Sequence, residues 1–86
     1  MRELFVTNQF EKDLRKLPKD TQTEADVKVQ LLQTDPLGKT LDVKKLKGFD
    51  DPALYRMRIG AYRILYSFTA QALILHRIKH RKDMYR

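Results

Sequence analysis

Hydrophobic residues follow a helical spacing in the first half of the chain and a strand-like alternation in the second half. Between residues 10 and 32 they recur every three or four positions, as on one face of an amphipathic helix. The first stripe contains Phe10, Leu14 and Leu17, and the second contains Ala25, Val29 and Leu32. Pro18 lies between the stripes, and Asp35-Pro36 ends the second because a residue before proline resists the helical region. The pattern predicts two helices that pack as an antiparallel pair.

Two short segments outside this helical region predict edge strands. The apolar run at residues 4–6 precedes the first helix and has the composition of a strand. Thr7 or Asn8 can cap that helix through a side-chain oxygen, and Glu11 falls in the first turn, where the helix dipole favours an acid. The lysine-rich segment 43–47 can form a further short edge strand, where lysines discourage edge-to-edge pairing.

The segment 54–66 alternates between apolar and polar residues on both sides of Gly60-Ala61. Glycine at the first position of a two-residue turn is typical of a type II′ β-hairpin. Closing this hairpin pairs Ile59 with Tyr62, Arg58 with Arg63, Met57 with Ile64, and Tyr55 with Tyr66. The apolar face then carries Tyr55, Met57, Ile59, Tyr62, Ile64 and Tyr66. The opposite face carries Arg56, Arg58 and Arg63 around Leu65.

A last strand is predicted over residues 72–79. Its consecutive apolar residues 73–75 indicate a strand that is covered on both faces, and therefore interior to the sheet. The loop near residues 69–71 decides which side chains face the helices. An even number of loop residues would place Arg77 with Tyr66 on the apolar face.

An odd number of loop residues would bury Ile78 in place of a cation, so we prefer this register. It places Lys79 beside Arg63 and sends Arg77 to the arginine face. The apolar face would then receive Ile74, His76 and Ile78. The basic face would receive Leu73 and Leu75, which would need cover from the end of the chain or from a partner.

Charge is distributed unevenly along the chain. Residues 1–53 carry ten basic and ten acidic side chains, whereas residues 54–86 carry eight basic side chains and one acid, Asp83. The whole net charge of +7 therefore lies in the hairpin and the residues that follow it. Such asymmetry is typical of proteins that bind nucleic acid or another anion. Like charges directly opposite each other destabilise a sheet, so the hairpin arginines indicate a polyanionic partner.

The length and composition of the chain exclude several classes of function. A chain of 86 residues can bury one modest core, so we predict a single domain over residues 1–86. No apolar run is long enough to span a bilayer and no signal peptide is present, so we expect no membrane partner and a cytoplasmic location. Without cysteine there is no disulfide and no thiolate metal site.

Known catalytic motifs are also absent from the sequence. It has no glycine-rich phosphate loop, no serine nucleophile elbow and no pair of carboxylates. His76 and His80 would lie far apart along a strand, so we predict no metal site and no cofactor. A cluster of Arg, Lys and Tyr can still cleave RNA, because the 2′-hydroxyl is an internal nucleophile. The protein then needs only a base, an acid and cations around the phosphate.

Several motifs together resemble the RelE/ParE toxin superfamily, and they extend over nearly the whole chain. They are Phe10-x-x-x-Leu14-x-x-Leu17-Pro18, Asp35-Pro36, Leu46-Lys47-Gly48, Tyr55-Arg56-Met57-Arg58-Ile59-Gly60-x-Tyr62-Arg63-Ile64-x-Tyr66 and Ile78-x-His80-Arg81-x-x-x-Tyr85. The resemblance implies an α+β fold of order β-α-α-β-β-β. Two N-terminal helices would pack on a twisted antiparallel β-sheet, with the first strand beside the last and a possible extra short edge strand.

The resemblance also implies a function and partners. RelE-type members are toxins of type II toxin–antitoxin systems that cleave messenger RNA in the ribosomal A site without metal, leaving a 2′,3′-cyclic phosphate. An antitoxin protein wraps the toxin, and the pair represses its own operon. The expected partners are therefore an antitoxin, the ribosome with its messenger RNA, and operator DNA through the antitoxin.

Residue roles follow from the same resemblance, position by position. Arg56 and Arg58 stand where RelE proteins have paired lysines, and Arg63 matches the arginine that stabilises the transition state. The proposed catalytic residues are Arg58, Arg63, Lys79, Arg81 and Tyr85, with Arg81 in the run that supplies the acid and Tyr85 stacking on a base. The proposed RNA contacts are Arg56 and, apart from the resemblance, the basic residues Lys45, Lys47 and Arg77. Because a guanidinium is a poor general base, Lys79 would have to take that role, or the chemistry depends on electrostatics.

Two other functions remain open from the sequence. ParE members of the superfamily inhibit DNA gyrase instead of cleaving RNA, and they lack this basic set. A module that binds nucleic acid without catalysis would also explain the arginines. The tyrosine and arginines of the motif favour the RelE-type nuclease.

Overall fold

The computed structural model describes residues 1–39, 41–50 and 52–84. Within these residues the chain forms the following strands and helices: β1 (Glu3–Val6), α1 (Asn8–Arg15), α2 (Lys19–Thr34), β2 (Val43–Asp50), β3 (Ala53–Ile59), β4 (Tyr62–Phe68), β5 (Ala72–His80) and α3 (Arg81–Met84). No helix in this part of the chain has both the length and the apolar composition that a membrane span requires.

The strands form a single five-stranded sheet in the order β1-β5-β4-β3-β2. Neighbours among β2 to β5 run antiparallel, whereas β1 runs parallel to β5, so the sheet is mixed. The predicted α+β fold, with two helices on one face of the sheet, is confirmed. The possible edge strand is also present, and it is longer than the segment 43–47 from which it was predicted.

The core lies between the two long helices and one face of the sheet. The helices contribute Phe10, Ala25, Val29 and Leu32, and the sheet contributes Met57, Ile59, Ile64, Tyr66, Leu73, Leu75 and Ile78. Tyr66 donates a hydrogen bond of 2.6 Å from its hydroxyl to the carbonyl oxygen of Pro36. This contact satisfies the polar group of a fully buried ring and ties the end of α2 to the sheet.

The β3–β4 hairpin has the predicted register. Ile59 lies opposite Tyr62 and Arg58 lies opposite Arg63. Gly60 has a φ of +55°, and no non-glycine residue in the described chain has a positive φ. Positive φ at the first turn position alone fits the type II′ turn that the sequence predicts.

The predicted register of β5 is correct in its second half and wrong in its first half. Ile78 lies opposite Ile64 as expected, but Tyr66 lies opposite Leu75. A β-bulge at His76 therefore inserts one extra residue and changes which side chains face the helices. Leu73 and Leu75 are buried in the core, whereas the sequence pattern predicts Ile74 and His76 there. The bulge allows the strand to bury apolar side chains on both sides of it.

Helix α1 lies along the edge of β5 beyond the point where β1 ends. Thr7 caps α1 by accepting a hydrogen bond from the Phe10 N–H, and its hydroxyl donates to the His76 carbonyl oxygen at 3.0 Å. Further along, the Asp13 carboxylate accepts the Ile78 N–H at 3.2 Å. These contacts fix the position of the second half of β5 relative to the helix.

Candidate nucleic-acid interface

Three cations form a row across three adjacent strands of the sheet. Arg58 on β3 lies opposite Arg63 on β4, which lies opposite Lys79 on β5. Their sequence neighbours Ile59, Ile64 and Ile78 belong to the core. Because side chains alternate along a strand, the row lies on the face of the sheet that the two long helices do not cover.

Arg63 is the buried member of this cationic row, with only 6% of its surface exposed. Its Nη1 donates to the carbonyl oxygens of Gly60 and Tyr62 at 3.4 and 3.2 Å, which holds the guanidinium against the hairpin turn. Its Nε is buried and has no hydrogen-bond partner among the described residues. Buried polar groups are nearly always paired, so placing Arg63 at this position costs stability.

Arg58 is the exposed member of the cationic row. Its Nη1 lies 4.0 Å from a carboxylate oxygen of Asp42, and its Nε lies 3.5 Å from the carbonyl oxygen of Gly60. Half of the Arg58 side chain is exposed, and exposed pairs of this length contribute little energy. The guanidinium is therefore available to an incoming anion.

A second group of basic side chains lies at the edge strand β2. Lys44 lies opposite Arg56, and both line a surface groove of about 290 Å³ together with Lys45, Leu46 and Lys47. Lys45 lies opposite Tyr55, so within the strand alternation it points to the other face from Arg56. The sequence predicts RNA contacts at Lys45 and Lys47 but not at Lys44, because only the β2–β3 register shows which lysine shares a face with Arg56.

Arg77 is held by an internal ion pair. Its Nε and Nη2 donate to the two carboxylate oxygens of Asp13 at 2.7 and 3.1 Å. Burial alone would raise the pKa of Asp13, but hydrogen bonds from Arg77, Gln9 and the Ile78 N–H outweigh it and lower that pKa. The predicted RNA contact by Arg77 stays a prediction, and its guanidinium already has a carboxylate partner.

Both histidines have partners within the protein. The Nε2 of His76 lies 2.8 Å from the Ser67 hydroxyl, and burial lowers the pKa of His76. The ring of His80 meets the ring of Tyr62 edge-on, with 5.4 Å between centroids. Across residues 1–39, 41–50 and 52–84, no group of three or more histidine or acidic side chains is placed to hold a metal ion.

The family profile described as the ParE toxin of the type II toxin–antitoxin system parDE matches residues 4–85 of this chain. The chain belongs to the RelE/ParE toxin superfamily. Toxin RelE3 of Methanocaldococcus jannaschii is 33% identical over 87 residues, which cover 99% of this chain and 96% of the relative. The protein is therefore a toxin of the type II toxin–antitoxin class, with RelE relatives.

Two solved structures resemble this RelE/ParE-family toxin in fold and sequence. One is the RelB-RelE antitoxin-toxin complex from Methanococcus jannaschii, with a TM-score of 0.79, 30% identity and coverage of 94% of both chains. The other is the archaeal RelE-RelB complex from Pyrococcus horikoshii OT3, with a TM-score of 0.81 and 29% identity. It covers 95% of this toxin and 97% of the relative.

The start of helix α3 places Arg81 of the toxin beside the hairpin turn. The Arg81 N–H donates to the carbonyl oxygen of Ala61 at 2.8 Å, so Arg81 begins its helix beside the turn that also holds Arg63. Tyr85 lies outside the described residues, and its role stays a prediction. Arg58, Arg63, Lys79 and Arg81 therefore lie at the same end of the sheet.

Proposed function

We propose that this toxin is an endoribonuclease that cleaves messenger RNA in the A site of the ribosome. The row of Arg58, Arg63 and Lys79 is the observation that carries the proposal. Three cations on neighbouring strands repel one another, whereas a phosphodiester bound against them would stabilise the arrangement. The buried Nε of Arg63 lacks an acceptor among the described residues, a cost that a residue serving a ligand can carry.

The proposed reaction uses the 2′-hydroxyl of the substrate as the nucleophile. A base on the toxin removes the hydroxyl proton, and the 2′-oxygen forms a bond to the adjacent phosphorus. The bond from phosphorus to the 5′-oxygen of the next nucleotide breaks, and an acid returns a proton to that oxygen. The products are a 2′,3′-cyclic phosphate and a 5′-hydroxyl, and no atom changes its oxidation state.

Each residue of the site has a separate proposed role. Arg63, fixed against the turn carbonyls, stabilises the negative charge that grows on the nonbridging oxygens, and Arg58 binds the incoming phosphate. Lys79 is the amine of the cationic row, and because a guanidinium keeps its proton in proteins, Lys79 is the proposed base. Arg81 would stabilise the negative charge on the leaving 5′-oxygen, which takes its proton from water, and Tyr85 would stack on a base of the message.

The basic groove at β2 extends the proposed path of the RNA. Arg56 lies two residues before Arg58 on β3, and Lys44 lies opposite Arg56, so both share the face of the hairpin arginines. We propose that they and Lys47 contact the backbone phosphates of the message or of the ribosome, with Lys45 at the rim. Such contacts position a nucleic acid without reading its sequence.

We also propose that an antitoxin protein covers this toxin, because both archaeal relatives were solved as complexes of toxin and antitoxin. An apolar groove of about 220 Å³ lies between β1 and the two long helices, lined by Leu4, Val6, Phe10, Leu14, Ala25 and Val29. An amphipathic helix in this groove, or a strand added to the edge of β1, would bury it. Operator DNA would be bound through the antitoxin.

Expression of the toxin alone, followed by primer extension on translated messages, tests the proposed nuclease. Cuts within codons that disappear in the Arg63→Ala and Tyr85→Ala variants would support it. The ParE name of the matching family keeps gyrase inhibition as the second candidate. Growth arrest with intact messages and double-strand DNA breaks would favour gyrase, and an absence of toxicity would leave a binding module.

A further inference from the structure

A cavity of about 630 Å³ lies between α1, the turn end of the sheet and α3. Its volume falls within the range of about 300–1,000 Å³ that is usual for small-ligand sites. We call it the α1–α3 cleft. The lining side chains that matter for a ligand are Gln9, Lys16, Tyr62, Lys79, His80 and Asp83.

Lys79 belongs both to the cationic row and to the α1–α3 cleft. It lies opposite Arg63 across the β4–β5 pair, and it also lines the cleft at the edge of the sheet. Tyr62 lies opposite Ile59 and so belongs to the helix side of the sheet, whereas the cationic row lies on the other side. Lys79 on β5 is the residue that the two surfaces share. A nucleotide next to a phosphate bound at the row would pass around the edge of β5 to enter the cleft.

The walls of the cleft combine two aromatic rings with two lysine side chains. Tyr62 and His80 are half-buried and pack edge-to-face, so their rings are fixed in position. Lys16 and Lys79 form no ion pair with the described residues. The Asp13–Arg77 pair in the back wall is neutral as a unit, and Asp83 is an exposed acid. A ligand with a planar ring and a negative group matches this surface.

We propose that the α1–α3 cleft binds the nucleotide next to the scissile phosphate, with its base against Tyr62 and His80 and its phosphate near Lys16 and Lys79. The identification of this nucleotide as part of a translated message rests on the proposed function. Nucleotide binding by the cleft is independent of the proposed function, because it depends only on the shape and charge of this surface.

Titration of the isotope-labelled toxin with adenosine 5′-monophosphate, followed by NMR, tests the cleft directly. The ring signals of Tyr62 and His80 should shift and saturate. Adenosine alone and ribose 5-phosphate alone should bind more weakly, because the first lacks the phosphate and the second lacks the base. The absence of a saturable shift at these two rings would overturn the inference.

Two exposed lysines at the same helix provide matched variants. Lys16 lines the cleft, whereas Lys12 lies in α1 and does not. Lys16→Gln should weaken nucleotide binding about threefold, the scale of one exposed ionic contact, and Lys12→Gln should leave it unchanged. Asp83→Asn should tighten binding by a similar factor. Equal affinities in the Lys16 and Lys12 variants would contradict the proposal.

A cleavage assay separates this inference from the proposed function. With a translated message, Lys16→Gln should raise KM and leave kcat unchanged, because Lys16 binds the substrate and does not transfer a proton. If the toxin cleaves no message but the nucleotide still shifts Tyr62 and His80, the proposed function fails and the nucleotide site stands. Normal cleavage with no shift and no effect of Lys16→Gln would overturn the site alone.

Discussion

Arg63 on β4 lies directly opposite Lys79 on β5, and no carboxylate of the described residues lies within 4.0 Å of either side chain. Opposed like charges destabilise a sheet by roughly 0.2–1 kcal/mol for each pair. The buried Nε of Arg63 adds a further desolvation cost. The pair therefore lowers the stability of the free protein, which is expected of residues that serve a ligand.

Arg63→Met should stabilise the toxin and inactivate it. Methionine removes a buried cation that lacks a carboxylate partner, so the free energy of unfolding should rise by about 1 kcal/mol. Loss of the charge at the phosphorane should lower the cleavage rate by at least about 100-fold. Urea unfolding and single-turnover cleavage measure the two effects, and Lys82→Met in α3 is a control for loss of charge. A less stable variant with normal cleavage would contradict the assigned role.

Lys79→Arg should separate the charge of this residue from its capacity to accept a proton. The guanidinium keeps the positive charge but does not release a proton near neutral pH, so cleavage should slow by about 100-fold or more. Affinity for the ribosome should stay within about twofold, because the number of cations is unchanged. Lys82→Arg is the matched control. Cleavage at the normal rate would show that electrostatics alone drives the reaction.

Binding of the toxin to ribosomes should weaken steeply as salt rises, because each phosphate contact releases counterions. Arg58→Ala and Lys44→Ala should each make the slope of log affinity against log salt shallower by about 0.7 to 1. Lys28 lies on α2 in an ion pair with Glu24, so Lys28→Ala should leave the slope unchanged. A flat salt response in the unmodified toxin would remove the argument for a polyanion.

Asp13→Asn should lower the free energy of unfolding by about 1–2 kcal/mol near neutral pH, because it leaves Arg77 without its charged partner. The lower end of the range applies because Arg77 is 35% exposed and water screens the pair. The double variant Asp13→Asn with Arg77→Met should recover part of the loss, since neither charge then remains unpaired.

The contribution of Asp13 should also depend on pH in a defined direction. Its pKa in the folded protein lies below the ordinary value of 3.8. The stabilisation is therefore complete above about pH 5 and is lost as pH falls below the ordinary value towards the folded pKa. Urea unfolding of the unmodified toxin and of the Asp13→Asn variant over this pH range measures the difference in their free energies of unfolding. A difference that stays constant down to the lowest pH would contradict the assignment.

Gly38→Ala should cost more stability than Gly60→Ala. Both glycines have a left-handed backbone, with φ of +58° and +55°, so both variants carry the same backbone strain, about 1–2 kcal/mol. A Cβ at Gly38 would also lie 2.6 Å from Cγ2 of Val43 and 3.1 Å from Cβ of Leu41, whereas nothing lies within 4 Å at Gly60. The urea midpoints of the Gly38→Ala and Gly60→Ala variants compare their stabilities. Equal losses of stability would show that Val43 moves aside without cost.

The hairpin could be predicted because its determinants are local. Gly60 sets the turn, and strict alternation on both sides fixes which residues face each other. The positions of Arg58 and Arg63 followed from these two features, and the structure confirms them. The pairing of Lys79 with Arg63 was also correct, since burial of Ile78 decided it.

The first half of β5 could not be predicted because its determinants lie far away in sequence. The bulge at His76 occurs where α1 replaces β1 at the strand edge, through contacts from Thr7 and Asp13. Those residues are 69 and 65 positions from their partners on β5. Nothing near His76 signals this exchange, and the ion pair of Arg77 with Asp13 depends on the same distant contact.

Parallel pairing of β1 with β5 has a consequence for how the protein is made. Residues 3–6 hydrogen-bond to a strand that begins at Ala72, so the sheet cannot close until nearly all of that strand has left the ribosome. Contacts between such distant segments form late in folding. The nascent chain would thus lack both the β1–β5 pairing and the Lys79 end of the cationic row until synthesis has passed the last strand.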